Sequence, residues 1–359
     1  MVDRPPQVAG TRDRGRPAVG SEHAQGPSQG LAQHGIVVGV DGSDQSTCAL
    51  LWAAQEAERR KAPLYVVTAY TIPVFAASSM DAGYATVDDD VIRDSAQSVL
   101  QEALTHIEGI SVEVHARIET GDAAGVLLDL SEEAELMVVG SRGRGGFVGR
   151  LLGSVSSALP AHAKCPTAVI PVCTGARLGR PDLGKKQGRD RDGGSSEAVV
   201  EPVVVVGVDG SEQARMASLA AAEEARSRGL ALRVICSVAP FNGSLAWVPA
   251  PVDREALHAD LAVQLAAGRD WLQSHYPDVD IRVELVDGSP AEVLISASAT
   301  SELLVVGTRG RGGFTGMLLG STSQGVLHHA RGPVLVVPDR ADPRLEDRSA
   351  FGPMIAPAR

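Results

Sequence analysis

A fifteen-residue glycine-rich stretch occurs twice, and its recurrence limits the folds open to the chain more than any other feature. It reads Gly140-Ser-Arg-Gly143-Arg-Gly145-Gly146-Phe-Val-Gly149-Arg-Leu-Leu-Gly153-Ser154, and again Gly307-Thr-Arg-Gly310-Arg-Gly312-Gly313-Phe-Thr-Gly316-Met-Leu-Leu-Gly320-Ser321. Each copy follows a valine-rich apolar run, Leu136–Val139 or Leu303–Val306, and precedes a small-residue segment able to form a helix. Strand, glycine loop and helix start, in that order, let backbone N–H groups converge on an anion. Two copies therefore predict two bound nucleotides.

The duplication extends well beyond the loops. Ile36-Val-Val-Gly-Val-Asp41-Gly-Ser43 recurs as Val204-Val-Val-Gly-Val-Asp209-Gly-Ser211 at an offset of 168, and the loops and Pro166/Pro333 recur at 167. A period this long exceeds the roughly 20–50 residues of solenoid repeats, so the copies are complete domains in tandem. The boundaries read as a disordered tail at 1–34, a first domain at 35–173, a flexible Gly/Arg/Lys/Asp/Ser linker at 174–200, a second domain at 201–339 and a C-terminal tail at 340–359.

Within each copy, short β-branched runs alternate with amphipathic segments. In the first copy the strands read Ile36–Val40, Leu64–Tyr70, Val112–Ile118, Leu136–Val139 and Thr167–Pro171. Helices fall at Gln45–Lys61, Asp88–Glu108, Ala123–Glu133 and Ser154–Ala163. This alternation predicts an α/β class: two doubly wound, five-stranded parallel sheets with helices on both faces. With strand order 3-2-1-4-5, Asp41 and the glycine loop flank the point where the winding reverses, which is where such sheets bind ligands.

Composition narrows the function. A 44% hydrophobic content with only 3% aromatics suits Ala/Val/Leu packing, and a net charge of -11 argues against nucleic acid as a partner. No apolar run approaches ~20 residues, so no membrane span is predicted, and no export signal is evident. The four cysteines (Cys48, Cys165, Cys173 and Cys236) lack metal-ligand spacing and read as reduced thiols of a cytoplasmic protein.

The loop is neither of the common phosphate motifs. No lysine precedes Ser154 or Ser321, as a G-x-x-x-x-G-K-[ST] loop requires. It also follows the fourth strand, without the acidic residue of a dinucleotide fingerprint. A tight turn with a serine cap is the competing reading. Twelve of the sixteen positions from Gly140 to Val155 are identical in the second copy, more than a turn demands.

This spacing, together with V-G-V-D-G-S on the first strand, resembles the universal stress protein family, in its ATP-binding, tandem-domain branch. The resemblance implies an adenine nucleotide alpha-hydrolase-like fold and ATP as ligand. It places Asp41 and Asp209 at the nucleoside, with adenine against backbone near Ala69 and Val238. Phosphates would lie on Gly140, Gly143, Gly153 and Ser154, and on Gly307, Gly310, Gly320 and Ser321. Asp41 and Asp209 are candidates for Mg²⁺. Arg142, Arg144, Arg309 and Arg311 lie in the loops, Arg150 becomes Met317, and Phe75, Tyr84 and Trp247 fall in the connection after the second strand.

No general base or Ser/His/Asp constellation is fixed near the loops, so the leading reading is a nucleotide-binding stress or regulatory protein. A weak ATP hydrolase and a scaffold with vestigial sites are the alternatives. The resemblance also implies that the last strands, Pro166–Pro171 and Pro333–Pro338, pair with each other within the chain, and leaves open a homodimer of whole chains.

Overall fold

A computed structural model of the chain describes residues 35–72, 89–143, 152–171, 201–239, 253–310 and 318–346. The expected tail at 1–34, the linker at 174–200, Cys173, Arg144, Arg150, Arg311, Met317, Phe75, Tyr84 and Trp247 lie outside the described residues.

The first half runs β1 (Ile36–Gly39), α1 (Asp44–Arg60), β2 (Leu64–Tyr70), α2 (Asp89–Thr105), β3 (Val114–Thr120), α3 (Ala123–Leu130), β4 (Leu136–Gly140), α4 (Ser154–His162) and β5 (Thr167–Ile170). The second half repeats it: β6 (Glu201–Val208), α5 (Glu212–Arg228), β7 (Ala231–Val238), α6 (Arg254–His275), β8 (Ile281–Asp287), α7 (Pro290–Ser298), β9 (Ser301–Gly307), α8 (Ser321–His329) and β10 (Val334–Val337). A 3-10 turn at Pro343–Leu345 follows, with Leu345 buried in the core and Arg344 Nη1 donating to Tyr276 Oη at 2.9 Å. No described helix is long and apolar enough to cross a membrane.

The third strand begins two residues later than the sequence pattern predicts. Val112 N–H bonds back to Ile110 O, and the ladder to β2 opens only when Leu64 N–H reaches Glu113 O. Val112 packs against the core as an approach to the strand, which is why it reads as part of it.

Each half has strand order 3-2-1-4-5 with every internal pairing parallel, as the alternating elements predict. The halves join through β5 and β10, which pair antiparallel with Ala168 opposite Leu335, giving one ten-stranded sheet. Strand residues alternate between two cores. Ile36, Val38, Val204 and Val206 face the side covered by α1, α2, α5 and α6, and Val37, Val203 and Val205 face α3, α4, α7 and α8.

The two halves also meet through a charge quartet related by the same offset of 168. On α1, Arg60 Nε donates to Glu56 Oε1 at 2.6 Å, and Arg60 also pairs with Glu224 on α5. Reciprocally, Arg228 pairs with Glu224 on its own helix and donates to Glu56 Oε2 at 2.7 Å. The Glu56 side chain is fully buried and Arg228 nearly so. Burial pushes the Glu56 carboxyl up, but Arg228, Arg60 and Arg59 together outweigh it and hold it below its ordinary value.

Not all of the described cysteines are reduced thiols: Cys165 and Cys236 form no disulfide, but Cys48 on α1 is disulfide-bonded. Spacing alone could not reveal a pair brought together by the fold.

Candidate functional site

Both halves build their site from the turn after the first strand. Gly42 and Gly210 adopt φ of 76° and 79°, a left-handed conformation that favours glycine and reverses the chain into α1 and α5. In the first half, Ser43 N–H and Oγ–H both donate to Asp41 Oδ1, at 3.0 and 2.6 Å. Ser43 Oγ in turn accepts from Ser46 N–H at 3.2 Å and caps α1. The second half repeats this, with Ser211 N–H on Asp209 Oδ1 at 3.0 Å and Ser211 Oγ capping α5. The aspartate is therefore not the helix cap. One oxygen braces the capping serine, and the other is turned to the glycine loop.

That second oxygen explains one glycine directly. A Cβ on Gly143 would sit 2.3 Å from Asp41 Oδ2, and one on Gly310 would sit 2.2 Å from Asp209 Oδ2. Gly140 serves a different purpose: its Cβ would strike the Gln45 backbone carbonyl carbon at 2.7 Å, so the glycine lets α1 approach β4. Gly307 stands in the same relation to Gln213, at 3.2–3.3 Å.

The base of each loop is closed by backbone. Gly153 N–H donates to Ser141 O at 3.0 Å, and Gly320 N–H to Thr308 O at 2.8 Å. These two amides are thus committed to the neck of the loop. Ser156 Oγ and Ser323 Oγ, on the first turn of the next helix, donate to the carbonyls of Gly140 and Gly307 at 2.6 and 2.7 Å and fix the helix on the strand end. Gly153 and Gly320 are N-caps without a side chain, so the N-cap position supplies no side-chain acceptor to the first amides of α4 and α8. Ser156, Ser323, Gln45 and Gln213 escaped the sequence reading, although the two serines recur at the loop's own offset of 167.

In the second half these groups line a cavity of about 310 Å³ at the carboxyl ends of β6, β7 and β9. Asp209, Gly307, Gly310, Gly320 and Ser321 all border it, with Arg309 at its side. Arg309 also lies 3.7 Å from Asp339. Val238 is not in the lining; Ser237 is. Strand register explains this, because Gly39 pairs with Val67 and Gly207 with Ile235, so the counterpart of Ala69 is Ser237. Val238 is spent otherwise: its carbonyl accepts Gly288 N–H at 2.9 Å. In the first half Asp41, Gly143 and Gly153 converge, with the Cβ position of Gly153 3.7 Å from Gly143 N. Ala69 lies on β2, beside β1.

Fold and site together define a tandem α/β chain in which an aspartate and the glycines that follow the fourth strand meet at the switch point of each half. The model of the universal stress protein family matches it twice, over residues 34–171 and 202–338. The chain belongs to that family. It is 36% identical over 313 residues to a universal stress protein of Mycobacterium tuberculosis, covering 85% of this chain and 97% of that one. A second from the same organism is 35% identical over 319 residues, covering 86% and 98%. Among solved structures, a universal stress protein from Archaeoglobus fulgidus shares the fold with a TM-score of 0.58 at 19% identity, covering 86% of this chain and 99% of that one.

Proposed function

We propose that each half binds one molecule of ATP and that the protein acts in the cytoplasm as a nucleotide-responsive stress or regulatory factor. The observation that carries this reading is the opening of α8, whose N-cap Gly320 offers no side chain, into a cavity that Asp209, Arg309 and Ser321 also border. A helix start of that kind, with Ser321 and Arg309 beside it, suits a polyphosphate through amide donors and the helix dipole. The nucleoside would lie toward Asp209 and Ser237 in the second half, and toward Asp41 and Ala69 in the first.

Asp41 and Asp209 each offer one carboxylate, and Oδ1 already accepts from the following serine. Such a group fits Mg²⁺ only as an outer partner of an ion carried in by the phosphates.

Competition dialysis on the full chain tests the reading. ATP should displace bound radiolabelled ATP, ADP should do so less well, and adenosine at the same concentration should barely compete. Equal competition by adenosine would mean that the loops do not hold phosphate. ATP turnover that falls on substituting both aspartates by asparagine would move the reading to a hydrolase.

A further inference from the structure

The second half contains another cavity, on the opposite face of the sheet. It has a volume of about 110 Å³ and lies between α5, α6 and the strands β6 and β7. Val234, Leu261, Leu265 and Leu272 make its body apolar, and Arg215 and Arg269 are the two cations in its lining. Asp209 also borders it, but that carboxylate is committed to Ser211 N–H and has its other oxygen against Gly310.

The space has a sequence cause. Helices α1 and α5 are both 17 residues long and correspond at the offset of 168, which sets Ser218 opposite Leu50. Leu50 is wholly buried in the first-half core. Ser218 is smaller, and its hydroxyl turns back to donate to Ala214 O at 2.8 Å, so the volume the leucine fills is left open. On the facing helix, a Cβ on Gly268 would meet nothing within 4 Å, which leaves that wall open as well. An apolar cavity of roughly this size holds one small ring or short chain.

We propose that this cavity binds a small apolar carboxylate, with its chain against Leu261, Leu265 and Val234 and its carboxylate at Arg215 and Arg269. Arg269 pairs with Asp270 at 2.7 Å, but both side chains are largely exposed, and an exposed pair is weak enough for a guest carboxylate to replace; Arg215 is itself engaged, and the guest would add to that interaction. Cys236, which forms no disulfide, lies in the lining and reports occupancy.

Octanoate is the probe, titrated calorimetrically into the full-length chain. The expected result is one saturable site that ATP does not displace. Ser218→Leu, which installs the first-half residue, should weaken binding at least tenfold with the far-UV spectrum unchanged. The double variant Arg215→Gln/Arg269→Gln should weaken octanoate at least tenfold and leave 1-octanol within twofold. On the unmodified chain, saturating octanoate should slow iodoacetamide modification of Cys236, read by mass spectrometry, at least fivefold. Absence of a saturable site, full binding by folded Ser218→Leu, displacement by ATP, or unprotected Cys236 would each overturn the assignment.

Discussion

Gly143 and Gly310 show how closely single residues set the site. In both, a Cβ would overlap an aspartate oxygen, so even alanine must move either the carboxylate or the loop. Gly310→Ala should weaken ATP binding in the second half at least tenfold, measured by calorimetry, with little change in thermal stability because Gly310 is only half-buried. A thiol gives a second check. Burial pushes the Cys165 sulfhydryl up to about 12, so at pH 8 it should resist iodoacetamide in the native protein and react only after denaturation, as peptide mass mapping would reveal. At this scale the sequence revealed the aspartates and glycines, because both recur with fixed spacing. It did not separate Gly140, which makes room for a helix, from Gly143, which makes room for a carboxylate. It also placed Val238 one residue beyond the true counterpart of Ala69, since only strand register distinguishes neighbours on opposite faces.

Secondary elements were more legible than their ends. The strand from Leu64 to Tyr70 matches its sequence pattern residue for residue, because an apolar, β-rich run follows directly on the left-handed Lys61 cap that ends α1. The third strand slipped because Val112 is apolar and packs half-buried against the core before pairing begins. Packing between elements gives a prediction at this level. Gly140→Ala would drive a methyl into the Gln45 backbone and push α1 off β4, costing about 1–3 kcal/mol in urea denaturation. Gly307→Ala, with its nearest contact at 3.2 Å, should cost less.

The whole molecule is held by one sheet and one charge quartet. β5 and β10 lie inside the ten-stranded sheet, so among the described strands the sheet's two open edges are β3 and β8. The quartet was invisible in composition but recurs as E-x-x-x-R at 56/60 and 224/228, a symmetry that acquires meaning only once the halves face each other. Glu56→Gln leaves Arg60 and Arg228 to share Glu224 as their one remaining carboxylate within the quartet and should cost about 3 kcal/mol at pH 7. Because the native Glu56 pKa lies below the ordinary 4.5, its contribution is complete above that value and is lost as pH falls through the depressed one. The stability gap between parent and Glu56→Gln should therefore be constant from pH 7 to about 5 and narrow below pH 4, followed by denaturant midpoints; a gap that widens in acid would contradict the assignment.

If, as proposed, the two glycine loops hold one ATP each, equilibrium dialysis should find two ATP per parent chain, one for Gly143→Ala, one for Gly310→Ala and none for the double variant, at a concentration that saturates only intact sites. No binding by the folded parent chain, or two ATP retained by the folded double variant, would contradict it.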